Sequence, residues 1–293
     1  MEYQGISYMT GAIIVLYNPD ENMLGQCLES IAPQVDEICI IDNSSHDETA
    51  RFHPYGPKVH YEPLRRNVGI AAAQNIGINY FKEKNFDFIL FSDQDSTSPQ
   101  SLVRSLVEGY LKLSAKTDIS CIGPMPTNRK TGLPYIYEKC IIDKREESGM
   151  KYYVMHSIIS SYSLVPISNF TSVGMMDERL FIDFVDQEWC WRAAGKDNKV
   201  CILLPETEIE HELGVSSTFM GHNISVSSAF RIYFQTRNLL WLCRKPYVPD
   251  YWKKMNLKKI IIKFFYYSIV PKNRLQYCTR MLKGFYDGLT KHL

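Results

Sequence analysis

Phe88-Ile89-Leu90-Phe91-Ser92-Asp93-Gln94-Asp95-Ser96 is an apolar run that stops at two carboxylates. Four large apolar residues in succession, bounded by polar flanks, read as a strand buried on both faces, as in a parallel sheet. Asp93 and Asp95 then fall at the carboxyl end of that strand, outside which ligands bind in open α/β sheets. In extended backbone an i, i+2 pair turns to one side, so the two carboxylates could share a hard divalent cation or divide a metal and a ribose hydroxyl. The plainer alternative is a solvated turn, with Ser98 capping the next helix and Pro99 opening it.

Outward from this stretch the chain alternates. Residues 11–17 read as a first buried strand closed by Asn18-Pro19-Asp20, and Met23, Leu24, Cys27, Leu28 and Ile31 follow at helical spacing. Residues 38–42 and 59–62 are further strands, 70–84 an alanine-rich helix, 102–113 an amphipathic helix and 119–123 another strand. Alternating β and α with short links predicts an α/β fold with a doubly wound, mostly parallel sheet over the first ~125 residues. From 125 to 148 the pattern dissolves into Pro, Gly, Thr, Lys and Glu, the composition of a long excursion. Beyond it, 152–165 is apolar and β-branched, 168–175 reads as a short capped helix, 181–194 as a loop entering a helix, 200–204 as a strand and 230–242 as a helix.

Net charge is only +1, but residues 244–293 hold 12 Lys/Arg against 2 Asp/Glu, which leaves an acidic body and a basic tail. The eight cysteines, at 27, 39, 121, 140, 190, 201, 243 and 278, contain no C-x-x-C, which argues against a zinc cluster or redox pair and fits reduced core thiols in a reducing cytoplasm. The first residues lack the basic flank of a secretory signal, and the run at 11–17 is too short for one.

Polar clusters follow three strands: Tyr17-Asn18, Asp42-Asn43-Ser44-Ser45 and Asp93-Gln94-Asp95. Parallel strands present their carboxyl ends along one edge, so these clusters are expected to converge, and a nucleotide would suit that edge. Neither G-x-G-x-x-G nor G-x-x-x-x-G-K-[ST] is present, which argues against a dinucleotide fold and a P-loop. A second carboxylate group, Asp183, Asp186 and Glu188, is interleaved with Phe184, Val185 and Trp189. Apolar walls would raise such a carboxylate's pKa toward a useful general base, or the group is an acidic helix start, with Glu188 capping while Asp186 reacts. His211 reads as a structural residue or a metal ligand.

Val15-Leu16-Tyr17-Asn18-Pro19, Ile41-Asp42-Asn43-Ser44, Asn67-Val68-Gly69 running on to Gln74-Asn75-Ile76-Gly77, Phe91-Ser92-Asp93-Gln94-Asp95 and Asp183-Phe184-Val185-Asp186-Gln187-Glu188-Trp189 together resemble the GT-A glycosyltransferases of family 2. Within them the chain is similar to the bacterial rhamnosyltransferases of surface-polysaccharide synthesis, including a helix that runs from Arg231 to Arg237-Asn238. The likeness covers about residues 11–242 and thins beyond 245. It implies a nucleotide-sugar-binding half over about 11–125, an acceptor and catalytic half over 126–243, and a separate basic segment at 244–293. It further implies that Tyr17, Asn18, Asp42, Asn43, Asn67, Gln74, Asn75, Asp93 and Arg237 serve the donor, with Asp42 near the base and Asp93 on the ribose. Asp95, with His211, would hold Mg²⁺ or Mn²⁺. Asp186 would be the general base, with Asp183 as the alternative because the first member of the family's Glu-Asp pair is here Val185.

The expected reaction is inverting transfer of L-rhamnose from dTDP-rhamnose to a lipid-linked saccharide in O-antigen or capsule synthesis, with no nucleic-acid partner. Other readings stay open: transfer from another nucleotide sugar, a nucleotidyltransferase, a glycoside hydrolase, which also needs two carboxylates, or a non-catalytic saccharide-binding module. Residues 257–270 are too interrupted by lysine to span a bilayer but have the composition of an interfacial segment, placing the enzyme on the inner face of the cell membrane. The alternative is a helix packed on the acidic body.

Overall fold

The computed structural model describes the chain except residues 1, 4, 47–52, 130, 148, 212–215, 220 and 292–293, and gives backbone alone for 2, 53–55, 211, 216, 222 and 223. After an N-terminal hairpin, β1 (Glu2–Tyr3) and β2 (Ile6–Ser7), the first half runs β3 (Thr10–Leu16), α1 (Glu21–Ile31), β4 (Glu37–Asp42), β5 (Val59–Pro63), α2 (Ile70–Glu83), β6 (Phe88–Ser92), α3 (Leu102–Leu113) and β7 (Ile119–Asn128). The second half adds β8 (Ile141–Glu147), β9 (Met150–Met155), β10 (Leu164–Pro166), α4 (Asn169–Ser172), α5 (Val185–Asp197), β11 (Val200–His211), the hairpin β12 (Ser216–Phe219) and β13 (His222–Ser225), and three closing helices: α6 (Ala229–Cys243), α7 (Asp250–Ile269) and α8 (Arg274–Thr290).

Nine strands form one sheet in the order β5-β4-β3-β6-β10-β7-β11-β9-β8. Pairing is parallel from β5 through β6, and again between β7 and β11, whereas β10 and β9 run antiparallel to their neighbours. The period-2 alternation of a strand sorts its side chains onto two faces. Ile13, Ile41, Ile89 and Phe91 join the core beneath α2, α5 and α6, while Ile14, Ile40, Phe88 and Leu90 join the core beneath α1 and α3. Both faces are covered, which explains the continuous apolar runs of the central strands.

Three expectations change. Residues 125–148 are not all excursion, because β7 runs to Asn128 and β8 returns at the sheet edge as a hairpin with β9. Asp143, Lys144, Arg145, Glu146 and Glu147 hide that strand from an apolar pattern, and such charges suit an unpaired edge. Ser98 caps nothing: its backbone N–H donates to Ser30 Oγ at 3.1 Å and its hydroxyl accepts from Gln34 Nε2 at 2.9 Å, and α3 begins at Leu102. Ser168 likewise makes no capping hydrogen bond, and its helix is the single turn α4.

The basic tail is built into the body. Trp252, Ile260, Tyr266, Tyr267 and Met281 join the core beneath α6. Gly284 and Gly288, one turn apart, let α8 lie close on α6, where a Cβ at Gly284 would stand 2.8 Å from the Tyr233 carbonyl oxygen.

Candidate active site

The polar clusters at the strand ends do converge. Gln94 accepts from the Tyr17 backbone N–H at 2.8 Å, tying the end of β6 to that of β3. Asn18, at φ 45°, donates its backbone N–H to Ser44 Oγ at 2.8 Å, tying β3 to β4. Asp93, Gln94 and Asp95 lie past the strand, with Gln94 and Asp95 in a turn and not in extended backbone. Asp93, Gln94 and Asp95 line a cleft of ≈ 750 Å³, and across it stand Asp183, Gln187, Arg231 and Gln235. Asp95 is exposed there, and Asp93 is half-buried.

The far wall rests on strained backbone. Phe181, Asp183 and Phe184 all hold positive φ, at 65°, 66° and 67°, a region that non-glycine residues rarely occupy and that costs roughly 1–3 kcal/mol each. Contacts from two helices hold them. Asn238 on α6 donates to the carbonyls of Leu180 and Ile182, each at 2.9 Å, and to that of Asp183 at 3.3 Å. Arg237 donates to the carbonyls of Arg179 at 2.6 Å and Leu180 at 3.1 Å. At the start of α2 the Ile70 N–H donates to the Phe181 carbonyl at 2.7 Å. Gly69, at φ 87°, permits that approach, since a Cβ would lie 2.6 Å from the same oxygen.

The strain places two carboxylates in unlike surroundings. Asp183 accepts from Arg231 Nε at 3.0 Å and Nη2 at 2.8 Å, with Gln235 Nε2 at 3.3 Å. Asp186, half-buried in the first turn of α5, is not among the residues that line the cleft but accepts from the backbone of two that are, Gln187 N–H at 2.8 Å and Ser160 N–H at 3.2 Å. Burial, and next the neighbouring Cys190, push the Asp186 carboxyl up to about 6 despite those donors. Glu188 is neither cap nor base: it is fully buried, paired with Arg192 Nε at 2.9 Å and accepting from the Tyr247 hydroxyl at 2.8 Å.

Of the residues assigned to the donor, Asp93 and Gln74 face the cleft, and Gln74 also donates to Ser160 Oγ at 3.2 Å. Tyr17 and Asn18 stand at the strand end, outside the cleft lining, with their backbone N–H groups on Gln94 and Ser44 as above. The others make their hydrogen bonds within the protein. Asp42 is enclosed, its oxygens accepting from Ser44 N–H at 2.7 Å and the Tyr61 hydroxyl at 2.8 Å. Asn43 clasps the backbone of Val68 and Gly69, and Asn67 accepts from the Gly69 N–H at 2.9 Å, so both shape the turn into α2. Asn75 exchanges hydrogen bonds with the Met176 backbone and donates to Glu178. Arg237 is buried, its guanidinium over the Phe234 ring at 4.8 Å. His211 ends β11, and its side chain lies outside the described residues, as do Glu212, Leu213 and Gly214. Sequence reasoning missed Gln235, Gln187, Ser160, Arg129 and Tyr135. Gln235 follows Arg231 by four residues on one helix face, a legible signal, whereas Arg129 and Tyr135 come from the excursion, where no periodicity points inward.

A cleft at the strand ends, carboxylates on both of its walls and this strand order point to one class of protein. The family model for glycosyl transferase family 2 matches residues 12–170, and the chain belongs to that family. It is 32% identical to the dTDP-rhamnosyl transferase RfbF of Shigella flexneri, over 95% of this chain and 94% of that protein. Among solved structures it is similar to S. aureus TarS 1–349 in complex with UDP-GlcNAc, with TM-score 0.56, 14% identity, 93% of this chain and 79% of that one. It is also similar to GalNAc-T7 with UDP, GalNAc and Mn²⁺, with TM-score 0.57, 15% identity and 89% of this chain. The chain spans 56% of that GalNAc-T7 chain and 49% of the longer TarS chain. At such identity these structures speak to the fold alone.

Proposed function

We propose that this glycosyltransferase moves L-rhamnose from dTDP-rhamnose to a hydroxyl of a lipid-linked saccharide, with inversion, in bacterial surface-polysaccharide synthesis. The observation that carries the mechanism is the contrast between the two carboxylates of the 181–188 segment. Asp183 is already engaged, its oxygens accepting from Arg231 and Gln235. Asp186 has no cationic partner among the described residues, and its pKa of about 6 suits general-base work near neutrality. Asp186 therefore takes the proton of the acceptor hydroxyl, while Asp183, Arg231 and Gln235 shape the wall against which the donor lies. The identity to a dTDP-rhamnosyl transferase supports the sugar.

The donor set fits a divalent cation. Asp95 offers an exposed carboxylate at the mouth of the cleft, and Mg²⁺ is commonly held by one or two carboxylates with substrate phosphates and waters. GalNAc-T7, which shares the fold, was solved with UDP and Mn²⁺. When bound, the ion would neutralise the charge developing on the leaving diphosphate. Asp95 would hold it, and Asp93 would orient the ribose.

The same reading places the enzyme against the inner face of the cell membrane. Among the described residues no helix is long and apolar enough to cross a membrane. Leu257, Ile261, Phe265 and Ile269 form a stripe along the outer face of α7, each 38–61% exposed, with Lys254, Lys258 and Lys272 also exposed near it. Apolar groups flanked by lysine suit an anionic lipid surface.

The test is transfer of radiolabel from dTDP-[¹⁴C]rhamnose to the organic-extractable fraction of membranes from a bacterium that makes a rhamnose-containing polysaccharide. Incorporation that requires the enzyme and is lost in Asp186→Asn supports the proposal. Label that stays in free rhamnose and dTDP-rhamnose would contradict it.

A further inference from the structure

Three cysteines that are far apart in sequence meet in the core. Cys121 on β7 and Cys201 on β11 are register partners in the parallel pairing, and Cys190 on α5 packs over them. Their sulfurs lie within 4.8 Å of one another, with 3.8 Å between Cys121 Sγ and Cys190 Sγ, and each residue is at most 3% exposed. Met155 is the register partner of Cys201 on the other side, in β9, and brings a thioether to the same face of the sheet.

We propose that Cys121, Cys190 and Cys201 form a three-sulfur site for monovalent copper, separate from the oxygen-lined cleft that serves the sugar donor. Soft thiolate and thioether donors select Cu(I), while carboxylate and phosphate oxygens select harder ions. Zinc fits less well, because its structural sites are almost always four-coordinate and this cluster offers three cysteine sulfurs. One Cu(I) displaces one thiol proton to solvent and leaves the site neutral, with the other two sulfurs as neutral donors. Cys140, half-buried, lines a cavity of ≈ 350 Å³ whose wall includes Met155, the cross-strand partner of Cys201, and Leu203. Cys190 follows Asp186 by one helical turn, so the ion would rest directly behind that carboxylate.

The experiment is an anaerobic titration of the full chain with Cu(I) held by bicinchoninate, followed by copper X-ray absorption on the loaded wild type. One copper per chain is expected, with three sulfur neighbours. Cys190→Ser is expected to weaken the binding at least tenfold, while Cys278→Ser on α8 leaves it unchanged. No withdrawal of copper from the chelator, fewer than three sulfurs around it, or equal affinity in folded Cys190→Ser would overturn the proposal. So would tighter binding of Zn²⁺ than of Cu(I). Should Cys190→Ser fail to fold, the wild-type absorption spectrum decides alone.

Discussion

At the scale of single residues, the account turns on giving Asp95 and Asp186 different duties. Asp95→Asn removes a charged oxygen from an exposed position, so the fold should survive while the metal concentration for half-maximal rate rises; an unchanged metal titration would move the ion elsewhere. Asp186→Asn keeps size and hydrogen bonding but cannot take a proton. Donor binding should persist while transfer falls by roughly 10²–10⁴. The pH dependence follows from the raised pKa: the rate should drop as pH falls through about 6, where the base becomes protonated. Stability has the opposite sign. A carboxyl raised in the folded state favours folding most when protonated, so wild-type stability should decline as pH rises from the unfolded value through about 6. Melting curves of Asp186→Asn against wild type should therefore diverge over that window, with the variant the more stable at pH 7. Coincident curves would mean that the carboxylate is not desolvated.

At the scale of elements, α6 is a clamp on strained backbone. Asn238→Ala takes a donor from the Leu180 carbonyl, which keeps Arg237, and from that of Ile182, and an acceptor left unpaired away from water costs about 1–3 kcal/mol. Urea denaturation should register that loss, and the transfer rate should fall further than the dTDP affinity does, since the freed loop carries Asp183 and leads into Asp186. Equal effects on both would deny the loop its positioning role. The sequence announced this helix through Arg231, Arg237 and Asn238, yet it did not say that Arg237 faces the main chain and Arg231 the cleft, because the difference rests on which carbonyls a distant loop presents. The strand ends were legible for the opposite reason: buried parallel strands must be apolar throughout, so Asp42 and Asp93 mark where the strands end. Even there only the position could be read. Asp42 falls at the predicted edge but is enclosed by Tyr61, a partner nineteen residues away. The edge strand β8 was illegible because solvent on its outer side permits charge, and the three-cysteine cluster because its members come from β7, α5 and β11.

At the scale of the molecule, the closing helices serve as both packing layer and outer surface. Their inner residues, Trp252 and Tyr267 among them, are buried in the body, while the stripe from Leu257 to Ile269 faces outward. Full-length protein should pellet with anionic vesicles at low salt and release in part at high salt, and Ile261→Glu with Phe265→Glu should abolish pelleting without unfolding the chain. Equal binding to neutral vesicles would remove the electrostatic part of that attachment. The identity of the donor is read out by thermal unfolding against a panel of nucleotide sugars. dTDP-rhamnose with Mg²⁺ or Mn²⁺ should raise the melting temperature more than UDP-GlcNAc or UDP-galactose does, with the shift reduced by EDTA and in Asp95→Asn and retained in Asp186→Asn. A larger, metal-independent shift with another nucleotide sugar would contradict dTDP-rhamnose as the donor.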